Sequence, residues 1–200
     1  MTDFSIERKF KRLGFDKILG VDEAGRGPLA GPVVACAVCL KSTRFKNRID
    51  DSKKLSSRER EDAFLEIIQK SVFSLSVIDE GVIDASNILI ATSICMERAI
   101  LSLLKKLGDK NIFVLVDGNV RLRLGGTPFL NVIKGDAKSK TIACASILAK
   151  VSRDRIMFLY DKVWPRYGFL KHKGYPTEFH RKMLKQIGPS PIHRLTFSYV

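Results

Sequence analysis

Gly31 to Leu40 reads GPVVACAVCL, ten residues without a charge and rich in small and β-branched side chains. Such a run is the mark of a buried strand, and it constrains the fold more than any other segment. Strand and helix patterns alternate around it. Lys17 to Val21 forms a short strand entering a glycine-rich turn, and Lys41 to Leu55 is a long polar surface loop. Ser56 or Ser57 caps a helix through about Lys70, with Glu59 to Asp62 in its first turns at the positive end of the dipole. Ser71 to Ile78 alternates like a half-buried strand.

Asp84 to Leu107 predicts one long helix, with Ile88, Ala91, Cys95, Ala99 and Leu103 at helical spacing and Gly108 past its end. Asn111 to Val116 is a third buried strand, Pro128 to Lys134 a short one, and Ser139 to about Tyr160 a second long helix. From Trp164 onward proline and glycine punctuate the chain, leaving room for one helix over Thr177 to Gln186. The expectation is an α/β domain over residues 1–162, with residues 163–200 as a C-terminal extension packed on it.

Lys and Arg total 35 against 21 Asp and Glu, a net charge of +14. Such an imbalance is common where the partner is a polyanion, although a basic surface alone would also account for it. The basic residues are dispersed, so any anion-binding face is assembled by folding. Four cysteines are too few for a disulfide scaffold, Met1 to Arg12 lacks the apolar core of a secretory signal, and no run is long enough to span a membrane. We expect a cytoplasmic monomer with no membrane partner.

In so basic a chain, carboxylates at strand ends demand explanation. Asp22-Glu23 follows one strand and opens into Ala24-Gly25-Arg26-Gly27-Pro28; Asp117 ends another before Gly118; Asp136 follows Lys134-Gly135. Ligands of open α/β sheets bind at the C-terminal strand edge, so the three exits can converge there. Grouped carboxylates repel one another, and divalent-metal chemistry on phosphate is what gives such a group a use. Asp22 and Glu23 would point to opposite faces of a regular strand, so sharing one site requires the strand to end or bend, which Gly25 and Gly27 permit. The plainer roles are a helix cap for Asp136 and a turn for Asp117-Gly118.

Gly20 to Ala35, GVDEAGRGPLAGPVVA, strongly resembles the signature of the prokaryotic ribonuclease HII family. Asp51 to Leu55, Val116-Asp117-Gly118, Lys134-Gly135-Asp136, Ala145 to Asp154 (ASILAKVSRD), Gly174-Tyr175-Pro176 and Gly188 to Arg194 (GPSPIHR) are similar to it as well. Arg26 between Gly25 and Gly27 favours HII over the sister HIII type, which carries lysine there and an additional N-terminal domain. The resemblance implies an RNase H-like mixed sheet with a C-terminal helical extension. It also implies hydrolysis of RNA in RNA–DNA hybrids and cutting on the 5′ side of ribonucleotides embedded in duplex DNA, as in ribonucleotide excision repair, leaving 5′-phosphate and 3′-hydroxyl ends.

By the same resemblance Asp22, Glu23, Asp117 and Asp136 are the catalytic, metal-binding carboxylates, with Mg²⁺ or Mn²⁺. Gly25, Arg26 and Gly27 grip the backbone and 2′-hydroxyl, and Tyr175 stacks on the deoxyribose 3′ of the junction. Glycine amides can approach a sugar closely, and Arg26 can hold a phosphate bidentately. Lys53 and Lys54 are candidate phosphate contacts, as are Lys138 and Lys150.

Other motifs carry less. Cys36 and Cys39 point to opposite faces of their strand, which argues against redox or zinc chemistry, and Cys95 and Cys144 fall on apolar helix faces. His172, His180 and His193 lack metal-ligand spacing; His172, between two lysines, is expected at the solvated surface or on a phosphate. Asp154 reads as structural or as a partner supporting a site residue. Two rivals stay open: a binding module without catalysis, and a general RNase H-type or strand-transfer enzyme using the same carboxylates.

Overall fold

The computed structural model of the protein describes residues 2–108 and 111–198. Five strands form one mixed sheet in the order β3-β2-β1-β4-β5. β1 (Lys17–Ala24), β2 (Val33–Leu40) and β3 (Ser71–Ile78) run as an antiparallel meander, while β4 (Ile112–Asp117) and β5 (Phe129–Val132) lie parallel to β1 and to each other. The uncharged run thus becomes β2, an inner strand buried along its length except at Leu40.

Helices cover both faces. α4 (Ile88–Leu107) packs on Leu19, Val21, Ala35, Ala37, Val114 and Val116. On the other face α2 (Ser57–Gln69) and α5 (Lys140–Val163) pack on Cys36 and Val38. Cys36 and Cys39 therefore belong to opposite cores, and all four cysteines are buried free thiols. α2 starts at a full capping box: the Ser56 hydroxyl accepts the Glu59 amide and Glu59 accepts the Ser56 amide.

Several boundaries differ from the sequence pattern. β1 does not stop at Val21 but pairs with β2 as far as Ala24, opposite Val34. The helix expected over 84–107 is two: α3 (Glu80–Ala85), capped by Asp79, and α4, capped by Asn87. The break is local cap chemistry, because the Asn87 side chain takes the Ile90 amide and ends continuity while the apolar spacing runs on. Asp136 does not cap the helix after it. Ser139 does, accepting the Ile142 amide, and Asp136 sits in a 3₁₀ turn, Gly135–Ala137.

α5 is the element that locates the site. Its first turn lies directly on β1, where a Cβ at Gly20 would collide with the Thr141 backbone. Its N-terminus is held by Glu7 of α1 (Ser5–Arg12), which accepts from the Ser139 hydroxyl at 2.6 Å and the Thr141 amide at 2.9 Å, a carboxylate at the positive helix end. Beyond α5, α6 (Phe169–His172) and α7 (Glu178–Ile187) pack with Leu29, Ala30, Met157 and Ile192 in a separate apolar cluster.

Candidate active site

The parallel register of β1 and β4 pairs Val21 with Val116. The next residue on each strand is an aspartate, so Asp22 and Asp117 stand side by side where the pairing of β1 with β4 ends. Pairing of β1 with β4 ends at Val21 while β1 continues along β2 for three more residues, Asp22 to Ala24. The side facing β4 is therefore open at Glu23 and Ala24, and Asp22 and Glu23 reach one cavity with the strand still regular. No bend is required.

That cavity, about 210 Å³, is lined by Asp22, Glu23 and Asp117, by Gly25, Arg26 and Gly27, by Ser52 and Lys53, by Ser146 and Lys150 of α5, and by Tyr175. Asp136 stands at its edge, with Lys53 Nζ 3.9 Å from its carboxylate. Lys54 turns away to Asp50, at 3.8 Å. Gly27 lies under the Tyr175 ring, whose nearest atom would be 3.7 Å from an added Cβ. Lys150 pairs with Asp154 at 2.8 Å and reaches to 5.9 Å from the Tyr175 ring centre.

The electrostatics are those of crowded anions. Burial, then Glu23 and Asp117, push the Asp22 carboxyl well above the ordinary range, while Ser146 beside it favours the charged form. Burial also raises Glu23 against the pull of Arg26, and Asp117 raises it further. Asp136 is raised by burial, Asp117 and Asp51. For Lys53, burial disfavours the charge but the surrounding aspartates, Asp136 foremost, outweigh it and raise its pKa.

The donor set suits a hard divalent cation: carboxylate oxygens, mutually repelling, with Glu23 Oε2 buried and without a hydrogen-bond partner. As they stand, protein groups hold several of these oxygens. Gly135 N donates to Asp117 Oδ1, the Glu23 amide to Asp22 Oδ1, and Arg26 to Glu23 Oε1 at 3.4 Å. Among the described residues no three such side chains converge on a single ion position. The residues fit such an ion in chemistry and neighbourhood.

The chain matches the family model for ribonuclease HII over residues 19–200. It is 51% identical to a ribonuclease HII of Ruminiclostridium cellulolyticum over 96% of this chain and 74% of that one. It is 47% identical to a ribonuclease HII of Endomicrobium trichonymphae over 98% and 92%.

The chain belongs to the ribonuclease HII family.

It is accordingly a metal-dependent endonuclease of ribonuclease H type 2. The ribonuclease H2 of Pyrococcus horikoshii matches its fold with a TM-score of 0.74 at 26% identity, covering 92% of this chain and 94% of that one. A Bst ribonuclease HIII in complex with Mn²⁺ matches at 0.75 and 15% identity, over 95% and 70%. The mixed sheet flanked by helices is the RNase H-like fold expected from the ribonuclease HII resemblance.

Two features escaped the sequence reading. Ser146 lies in the pocket, its hydroxyl 3.0 Å from that of Ser52. Ser146, Lys150 and Arg153 are spaced four and three apart, a polar stripe beginning within the apolar first half of the helix, which is a legible signal. The histidines are the second. His172 is not at the solvated surface; its ring stacks on His180 at 4.4 Å and its Nε2 bonds the Tyr167 carbonyl. His180 and His193 are buried and joined Nε2 to Nε2 at 3.0 Å. Ser190 N donates to His193 Nδ1 and His180 Nδ1 donates to the Tyr175 carbonyl, so His193 Nε2 carries the proton between the rings. This neutral relay ends on the backbone of Tyr175.

Proposed function

We propose that this enzyme hydrolyses the RNA strand of RNA–DNA hybrids and cuts duplex DNA on the 5′ side of an embedded ribonucleotide, leaving 5′-phosphate and 3′-hydroxyl ends. The observation that carries the reading is the meeting of three elements at one cavity: paired carboxylates, the Gly25–Gly27 loop and the Tyr175 ring. Asp22, Glu23, Asp117 and Asp136 would hold Mg²⁺ or Mn²⁺. Two such ions, when bound, supply a water of lowered pKa and charge against the leaving oxygen.

The chain's own groups select and orient. Backbone amides of the Gly25–Gly27 loop approach the 2′-hydroxyl of the ribonucleotide without a side chain between them. Arg26 takes an adjoining phosphate in its planar fork, and Lys53 and Lys150 offset phosphate charge near the carboxylates. Tyr175 packs on the next sugar, where a 2′-hydroxyl would not fit, and so favours deoxyribose there. No histidine lines the cavity, and none is needed as a base in this reading. We further propose that residues 163–200 act as an extension carrying Tyr175, and that the enzyme works as a cytoplasmic monomer in ribonucleotide removal.

The test is a labelled duplex with one ribonucleotide, incubated with Mg²⁺ or with EDTA beside an all-DNA duplex. Metal-dependent cutting 5′ of the ribonucleotide alone is expected. A gel shift without cleavage would mean a binding module, and cutting of the all-DNA duplex a general or strand-transfer nuclease.

A further inference from the structure

Arg194 is fully buried, and its guanidinium donates repeatedly to one loop. It donates to the carbonyls of Gly25 at 2.5 Å, Arg26 at 3.0 Å, Pro28 at 2.8 Å and Gly31 at 2.7 and 3.0 Å. Arg153, 1% exposed, adds the carbonyls of Ala30 and Pro32, and reaches Lys173 O just before Gly174-Tyr175. The Arg194 amide takes Leu29 O at 2.9 Å. Seven of the eight carbonyls from Gly25 to Pro32 are therefore drawn inward by two residues.

A trans peptide points its N–H opposite to its C=O. With the Gly25 and Arg26 carbonyls turned toward Arg194, the amides of Arg26 and Gly27 are turned away from it, toward the open side of the loop. We infer that Arg194 is a positioning residue for substrate recognition, acting through the loop backbone to aim the Arg26 and Gly27 amides at a phosphodiester bearing a 2′-hydroxyl. This rests on the proposed reading of Gly25–Gly27 as the ribonucleotide-binding loop.

The side chain suits the task. A guanidinium offers five donors in a rigid plane, which lets one residue hold several carbonyls at once, whereas a lysine would offer a compact point charge. Its charge, met by carbonyl dipoles, also leaves a fixed positive potential beneath the track of an anionic backbone. A staple serving only the fold would not distinguish substrates; this one bears on the loop whose Gly27 lies against the Tyr175 ring.

The experiment compares wild type, Arg194→Lys and Asp84→Ala by melting temperature and by kcat and KM on the one-ribonucleotide duplex. Arg194→Lys keeps the charge but not the fork. It is expected to raise KM by about tenfold, with kcat much less affected. Recovery of wild-type KM by lysine overturns the clamp. Should Arg194→Lys fail to fold, Asp84→Ala decides, because Asp84 holds Leu195 and Thr196 from outside the buried cluster. A raised KM at unchanged kcat then supports the clamp, and an unchanged KM overturns it. Arg26→Ala and Gly27→Ala are run alongside. If both leave KM unchanged, the loop's assignment fails and the clamp with it; if they raise KM while the clamp variants do not, the clamp alone fails.

Discussion

Asp117 Oδ1 accepts the Gly135 amide at 2.5 Å, which ties the end of β4 to the turn that carries Asp136. Asn at position 117 keeps an oxygen for that amide and loses only the charge. Asp117→Asn should therefore melt close to wild type, bind the ribonucleotide duplex nearly as well, and lose kcat by about 10³-fold. An active, well-folded variant in a cleavage assay would remove Asp117 from the catalytic set.

Asp22 is raised by burial and by its anionic neighbours, so its ionised form opposes folding. The native state then binds more protons than the unfolded chain between the ordinary carboxylate range and the raised value, and stability falls as pH rises through that window. Asp22→Asn should relieve this, raising Tm at pH 7.5 in EDTA by about 2–4 °C for about 1 kcal/mol. Mg²⁺ should raise the wild-type Tm and leave the variant's much less changed. Equal responses of the two proteins would count against Asp22 as a ligand.

Gly25 and Gly27 look alike in sequence and differ in space. Gly25 has φ of +103°, and a Cβ there would strike the Arg153 side chain and the Pro32 carbonyl. Gly25→Ala should cost about 2 kcal/mol or more, several degrees in Tm. At Gly27 a Cβ meets only the Tyr175 ring at ordinary distance. Gly27→Ala should melt like wild type yet bind the ribonucleotide duplex about tenfold more weakly. Thermal melts and titrations separate the two; a destabilised Gly27→Ala would contradict the geometry.

His180 and His193 are each lowered to about 4, chiefly by burial. Their neutral forms belong to the fold, so the unfolded chain binds more protons between about pH 6.5 and 4, and stability is lost as pH falls through that interval. His180→Gln should flatten the acid limb of Tm against pH, after subtraction of the wild-type curve, which carries the opposite contribution of Asp22. The same variant should lower discrimination for the junction, since the relay ends on the Tyr175 carbonyl. An unaltered acid limb would mean that the pair does not titrate on unfolding.

The alternation of elements was legible because β2 and β4 are apolar runs, α2 carries a cap residue at its start and α4 keeps helical apolar spacing. The end of β1 was not, since its last three residues are held by β2 rather than by their own pattern. Convergence of Asp22 with Asp117 depends on a register between strands about 95 positions apart, which no local rule encodes. The histidines illustrate the same limit. His180 and His193 meet because the turn around Ser190 folds back on α7, so a spacing that excluded a metal site gave no sign of the relay.

Gly25 waits for Arg194 across 169 positions of chain. A polypeptide emerging from the ribosome has all four carboxylates by Asp136 but lacks the guanidinium that holds the Gly25, Arg26, Pro28 and Gly31 carbonyls until far later in translation. On the proposed reading, a product broken off between these points would carry the metal-binding carboxylates without the ordered recognition loop, so selectivity would be acquired only late in synthesis.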